Sequence, residues 1–158
     1  MPPPSVFSPA TSQPGWDPVT FRGHHPPRGK TMGCNLLLVD DEEAILDTLR
    51  KRLTRRGYGV LTANSGGVAL DVLAENPVDV VILDVKMPGM DGIDVLALIK
   101  QRHPRTEVIM LTGHANVEAA MRGMELGAFD YLMKPADFED LLYKIEDAYK
   151  KMHIQEMG

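Results

Sequence analysis

From Asn35 onward the sequence alternates short apolar runs with segments of helical period, and this alternation limits the accessible folds more than any other feature. Strand-like runs span Leu36 to Val39, Tyr58 to Thr62, Val78 to Leu83, Val108 to Leu111 and Asp130 to Met133. Most are rich in Val, Ile and Leu throughout, as strands covered on both faces must be. A helix candidate follows each. Ile45, Leu49 and Leu53 repeat at helical spacing in the first, Val68, Leu70, Val72 and Leu73 form a broader face in the second, and Ile93, Leu96 and Ile99 form a stripe in the third, with Pro104 as its stop. The fourth spans Val117 to Leu126 and ends at Gly127; Asp137 caps the fifth, where Phe138, Leu141, Leu142, Ile145 and Tyr149 share a face. The expected fold is α/β: a doubly wound (βα)5 five-stranded parallel sheet between two helical layers.

A chain of 158 residues, 44% hydrophobic and 25% charged, supplies one core rather than two. Eight of the twelve prolines fall between Pro2 and Pro27, so residues 1–33 are expected to be a disordered tail, with the domain at 34–152 and a short tail at 153–158. Met32 is an alternative natural start. A lipidation reading of Met32-Gly33-Cys34 fails because Leu37 stands where Ser or Thr is needed. A formal charge of -5 gives no basic footprint, so direct nucleic-acid binding is not expected. The lone Cys34 excludes an internal disulfide, and no run resembles a signal peptide or a membrane span, which points to the cytoplasm.

Doubly wound sheets bind ligands beyond the carboxyl ends of their strands, where strand order reverses; in the flavodoxin-like order 2-1-3-4-5 this lies between the first and third strands. Those ends read Asp40-Asp41-Glu42-Glu43 and Asp84. Alone, the first is a helix cap with acidic residues suited to the helix dipole. Asp84, closing the apolar run Val80-Val81-Ile82-Leu83, changes that balance. Carboxylates brought together repel, and Mg²⁺, which takes one or two carboxylates and shares phosphate oxygens, resolves the conflict. Thr112 and Lys134 close the fourth and fifth strands and should reach the same rim, although each has an ordinary reading as a loop cap or a solvated charge. An Asp nucleophile, a metal, an ammonium and a hydroxyl together suit phosphoryl transfer.

Val39-Asp40-Asp41, the stretch from Asp84 through Lys86-Met87-Pro88-Gly89-Met90-Asp91 to Gly92, Leu111-Thr112-Gly113 and Lys134-Pro135 resemble, over roughly residues 35 to 152, the receiver domains of bacterial two-component response regulators. The resemblance implies that Asp84 accepts a phosphoryl group from a sensor histidine kinase or phosphotransfer protein, and that Asp41, Asp84 and the Lys86 backbone carbonyl bind Mg²⁺, with Asp40 helping directly or through water. It implies that Lys134 contacts the phosphoryl group, that the Lys134-Pro135 bond is cis, and that Thr112 and Tyr131 form a two-state switch. By the same resemblance, Lys86 and His114 are expected to border the path of hydrolytic water and tune lifetime. The output is a downstream protein or a further domain. Dimerisation would use the fourth and fifth helices.

Other readings fare worse. A haloacid-dehalogenase-type phosphatase needs a second Asp where Lys86 stands, and no P-loop or Gly-x-Gly-x-x-Gly follows the first strand. A receiver-like module acting without phosphorylation is the alternative. His24 and His25 read as tail residues, and His103 as a helix end.

Overall fold

A computed structural model describes residues 33–87, 91–113 and 117–157. Five parallel strands form one sheet in the order β2-β1-β3-β4-β5: β1 (Asn35–Val39), β2 (Gly59–Ala63), β3 (Val80–Asp84), β4 (Glu107–Thr112) and β5 (Asp130–Met133). The helices are α1 (Glu43–Arg55), α2 (Gly66–Glu75), α3 (Gly92–Arg102), α4 (Val117–Glu125) and α5 (Phe138–Met157). This is the flavodoxin-like arrangement that the alternation of elements demands.

Alternate residues of each strand feed two separate cores. Leu37, Val39, Val81, Leu83, Val108 and Met110 pack with Val95, Leu96 and Ile99 of α3 and with Ala69 and Leu73 of α2. On the other face Leu36, Leu38, Val80, Ile82, Ile109 and Leu111 meet Leu46 and Leu53 of α1 and Leu141, Ile145 and Ala148 of α5. Because both faces are covered, β1, β3 and β4 read as nearly unbroken apolar runs.

The element bounds depart from the sequence expectation where side chains intervene. β3 begins at Val80, not Val78, because the Thr106 hydroxyl takes the Val78 carbonyl at 3.1 Å. β4 gains Glu107, paired with Val80. The last helix does not yield to a tail at 153 but runs on to Met157, since Leu141, Ile145, Ala148 and Met152 continue one buried stripe. Capping follows the expected chemistry at Asp137, whose carboxylate accepts from the Asp140 N–H at 3.1 Å, and at Gly127, whose φ of +108° suits glycine. His103 lies at the end of α3, donating its backbone N–H to the Ile99 carbonyl.

Glu107, 1% exposed, lies at the base of the sheet. Its carboxylate is 3.9 Å from the Lys100 ammonium and 3.7 Å from that of Lys151, tying α3 and α5 to the start of β4. Burial holds the Lys100 ammonium below its ordinary value, with Glu107 opposing that shift.

At the upper rim, Gly92 opens α3 and donates its backbone N–H to the Val85 carbonyl at 3.2 Å, closing the loop that leaves β3. A Cβ there would overlap the Val85 backbone, coming within 2.6 Å of its carbonyl oxygen. Gly92→Ala is therefore expected to lower unfolding stability by about 1–3 kcal/mol, measured as a drop in denaturant midpoint at unchanged m-value. Cys34 is 1% exposed and burial pushes its thiol far up, so alkylating reagents should label it only after unfolding; labelling of the native protein at the rate of a free thiol would contradict this packing.

Candidate functional site

β1 and β3 are neighbours in register, Val39 beside Leu83, so the residues that follow, Asp40 and Asp84, emerge side by side at the carboxyl edge. Each is 3% exposed, while Asp41 stands at the mouth. One oxygen from each of the three carboxylates lies within 4.8 Å of the others. From β5, two strands beyond β3, the Lys134 ammonium reaches back to Asp84 Oδ2 at 3.3 Å and Asp40 Oδ2 at 3.6 Å.

The backbone helps to aim these acids. Asp40 Oδ1 accepts from the Glu42 N–H at 2.9 Å, and Asp84 Oδ1 accepts from the Lys86 N–H at 3.1 Å. The helix-cap reading of the acidic run holds only in part: Glu42 is the N-cap of α1 and makes no side-chain cap hydrogen bond, Asp40 instead closes a turn onto the Glu42 N–H, and Glu43 is the acidic residue of the first turn that suits the helix dipole. The second oxygen of Asp40 is different: Oδ2 is buried and has no hydrogen-bond partner among the described residues. Burial, with the Asp84 charge adding to it, raises the Asp40 carboxyl above its ordinary value, although the Glu42 N–H and Lys134 pull the other way. Burial alone would lower the Lys134 ammonium, but the Asp84 and Asp40 carboxylates overcome that and raise it.

Three carboxylates against one ammonium leave an excess of negative charge in a largely desolvated pocket. The donor set is entirely oxygen, and it includes a buried oxygen lacking a donor. Both features fit a hard divalent cation such as Mg²⁺.

The remaining expected residues are distributed as follows. Lys86 has an exposed side chain just past Asp84. Thr112, with no exposed surface, closes β4, and its hydroxyl lies 3.2 Å from the Gly113 carbonyl and 3.4 Å from Met133 Sδ. Tyr131 is on the edge strand β5, 39% exposed. The Lys134-Pro135 peptide bond is cis. His114, the Pro88-Gly89-Met90 part of the family motif, and His24 and His25 lie outside the described residues.

Two residues of the site escaped sequence reasoning as individuals. Gly92 is needed for closeness of backbone rather than for chemistry, which periodicity does not report. Met133 could have been found by setting the ends of the fourth and fifth strands in parallel register, which puts it opposite Thr112.

With this geometry in hand, comparison with known proteins is specific. A family model described as the response regulator receiver domain matches residues 36–146. The chain is 41% identical over 119 residues to the DNA-binding transcriptional regulator NtrC of Klebsiella pneumoniae, covering 75% of this chain and 25% of that protein. It is 42% identical over 118 residues to the transcriptional regulatory protein GlrR of Escherichia coli K12, covering 75% and 27%. Among solved structures, a response regulator receiver domain protein from Clostridium thermocellum matches with a TM-score of 0.75 and 40% identity, over 77% of this chain and 98% of that one. NtrX from Brucella abortus, solved with ADP, matches with a TM-score of 0.75 and 31% identity, over 80% and 29%. The chain spans about a quarter of the length of the curated relatives it matches.

One expectation changes. The charge balance of this chain argued against nucleic acid, yet a relative sharing its receiver region is named as DNA-binding, so the exclusion does not hold for regulators built on this domain. Among the described residues, no helix is long and apolar enough to cross a membrane. Sheet order, the acidic rim at the switch between β1 and β3, and a family match covering most of the sequence agree: the chain belongs to the response regulator receiver domain family of two-component signalling.

Proposed function

We propose that this domain is a phosphorylation switch in which Asp84 is the phosphoacceptor and a sensor histidine kinase or phosphotransfer protein is the donor. The observation that carries the reading is the Lys134 ammonium held between Asp84 and Asp40 beside a third carboxylate. Asp41, Asp84 and the Lys86 backbone carbonyl would hold Mg²⁺, with Asp40 contributing directly or through water. When bound, Mg²⁺ supplies positive charge for the phosphoryl oxygens and relieves the repulsion among the acids.

An oxygen of Asp84 attacks phosphorus, the bond from phosphorus to the donor imidazole nitrogen breaks, and that nitrogen keeps the electron pair and takes up a proton. Lys134, already close to Asp84, neutralises charge on the transferred group. The Thr112 hydroxyl gives a hydrogen bond to a phosphoryl oxygen, and Tyr131 moves inward as it does so. This shifts the equilibrium only insofar as phosphate favours one arrangement over the other. Lys86 and His114 govern access of hydrolytic water and so the lifetime of the phosphoaspartate. The signal passes to a downstream protein or an output domain, which in regulators of the NtrC kind extends to DNA. Val117, Met121 and Met124 on α4 and Tyr143 on α5 are exposed apolar side chains that support a homodimer through these helices, and the setting is the cytoplasm.

Incubation with a small-molecule phosphodonor and Mg²⁺, followed by intact-mass measurement, tests the core of this reading. Wild type should gain a labile phosphate adduct, whereas Asp84→Asn, Asp41→Ala and wild type with a chelator should not. A native chain that gains no adduct would leave the receiver-like module without phosphorylation as the better description. Lys134→Ala should still fold with Mg²⁺ present to balance the acids, and phosphorylate about 10²-fold more slowly, or lose the response of partner binding to the phosphodonor; unchanged behaviour on both counts would remove Lys134 from the machinery.

A further inference from the structure

Met133 has no part in the chemistry above, yet it stands opposite the residue proposed to sense phosphate. Thr112 is in register with Met133 across the β4 and β5 pair, as Met110 is with Tyr131. Side chains alternate along a strand, so these four residues share one face of the sheet. It is the face under α4, where the Met110 side chain lies against Gly123.

The Thr112 hydroxyl is fully buried and carries one proton, with two acceptors in reach among the described residues: Met133 Sδ at 3.4 Å and the carbonyl of the next residue, Gly113, at 3.2 Å. Neither belongs to the acidic cluster. Before the hydroxyl can serve a phosphoryl oxygen, it must give up these contacts. Of the two, only Met133 is a side chain, so only it can be changed without altering the backbone. It also neighbours Tyr131 on the same face, two residues along the strand.

Resting on the phosphoacceptor reading, we propose that Met133 is a positioning residue for the switch. Its thioether accepts the Thr112 hydroxyl in the resting state, and release of that contact sets how readily the domain reaches its phosphorylated conformation. Sulfur suits this task because it is a weak acceptor, strong enough to bias a buried hydroxyl and weak enough to yield to a charged phosphoryl oxygen. The unbranched thioether can also reorient without a fixed cavity, leaving room for Tyr131 to turn inward.

The test compares phosphorylation rates with acetyl phosphate and Mg²⁺, read by intact mass, for wild type, Met133→Leu and Met133→Gln. Leucine keeps most of the volume and offers no acceptor, so the rate should rise about two- to fivefold, the size of one weak hydrogen bond. Glutamine offers a stronger amide acceptor and should slow the reaction below wild type. Opposite signs from two substitutions that both disturb packing are not expected of a merely structural residue. In a Thr112→Val background both effects should vanish. Equal effects with and without the hydroxyl, a shift of both variants in one direction, or rates indifferent to residue 133 would each overturn the proposal while leaving Asp84 as acceptor. Absence of any adduct on the wild type would overturn both readings. Should Met133→Leu fail to fold, Met133→Gln with and without Thr112→Val carries the same comparison.

Discussion

A carboxylate taken out of water strongly destabilises a fold unless something of opposite charge meets it, and at its carboxyl edge this domain buries two of them on adjacent strands, besides Glu107 at the base. The Lys134 ammonium answers that demand from β5, beyond the intervening β4. The reach is long, and it works only because the order β2-β1-β3-β4-β5 puts the ends of β1 and β3 together and keeps β5 on their side of the sheet. Strand order, the placement of the acids and the stem length of one lysine are thus a single solution to one electrostatic problem. The solution is incomplete, since one buried oxygen of Asp40 is left without a donor. That residual deficit is what makes the rim receptive to a cation and to the oxygens of a phosphoryl group.

How much of this could be read from residues alone depends on the kind of force involved. The sheet was legible because burial on both faces writes itself into Val80-Val81-Ile82-Leu83 and its counterparts as unbroken apolar runs. The convergence of Asp40, Asp41 and Asp84 was legible for a topological reason: strand ends at the switch point must meet. Local competition for hydrogen bonds was not. Nothing in the residue string says that Thr106 will capture the Val78 carbonyl and shorten a strand, or that Ala148 and Met152 will draw the last helix past its expected end. The partners of Thr112 were hidden for the same reason, because a cross-strand contact depends on register to within one residue.

The share of the relatives that this domain covers also matters for its meaning. About a quarter of the regulator NtrC aligns with this chain, so the acidic net charge that argued against nucleic acid speaks only for a region of that extent. Charge is a property of a domain surface. A partner that reaches DNA through another segment leaves no trace in it.

The ion pairs beneath the sheet bear on the other end of the molecule. Glu107 is the first residue of β4 and Thr112 the last, so Lys151 of α5 and the buried hydroxyl beside Met133 are attached to opposite tips of one six-residue strut. Paired to β3 on one side and β5 on the other, that strut holds the foot of the long helix and the phosphate-facing rim at a fixed spacing within one strand.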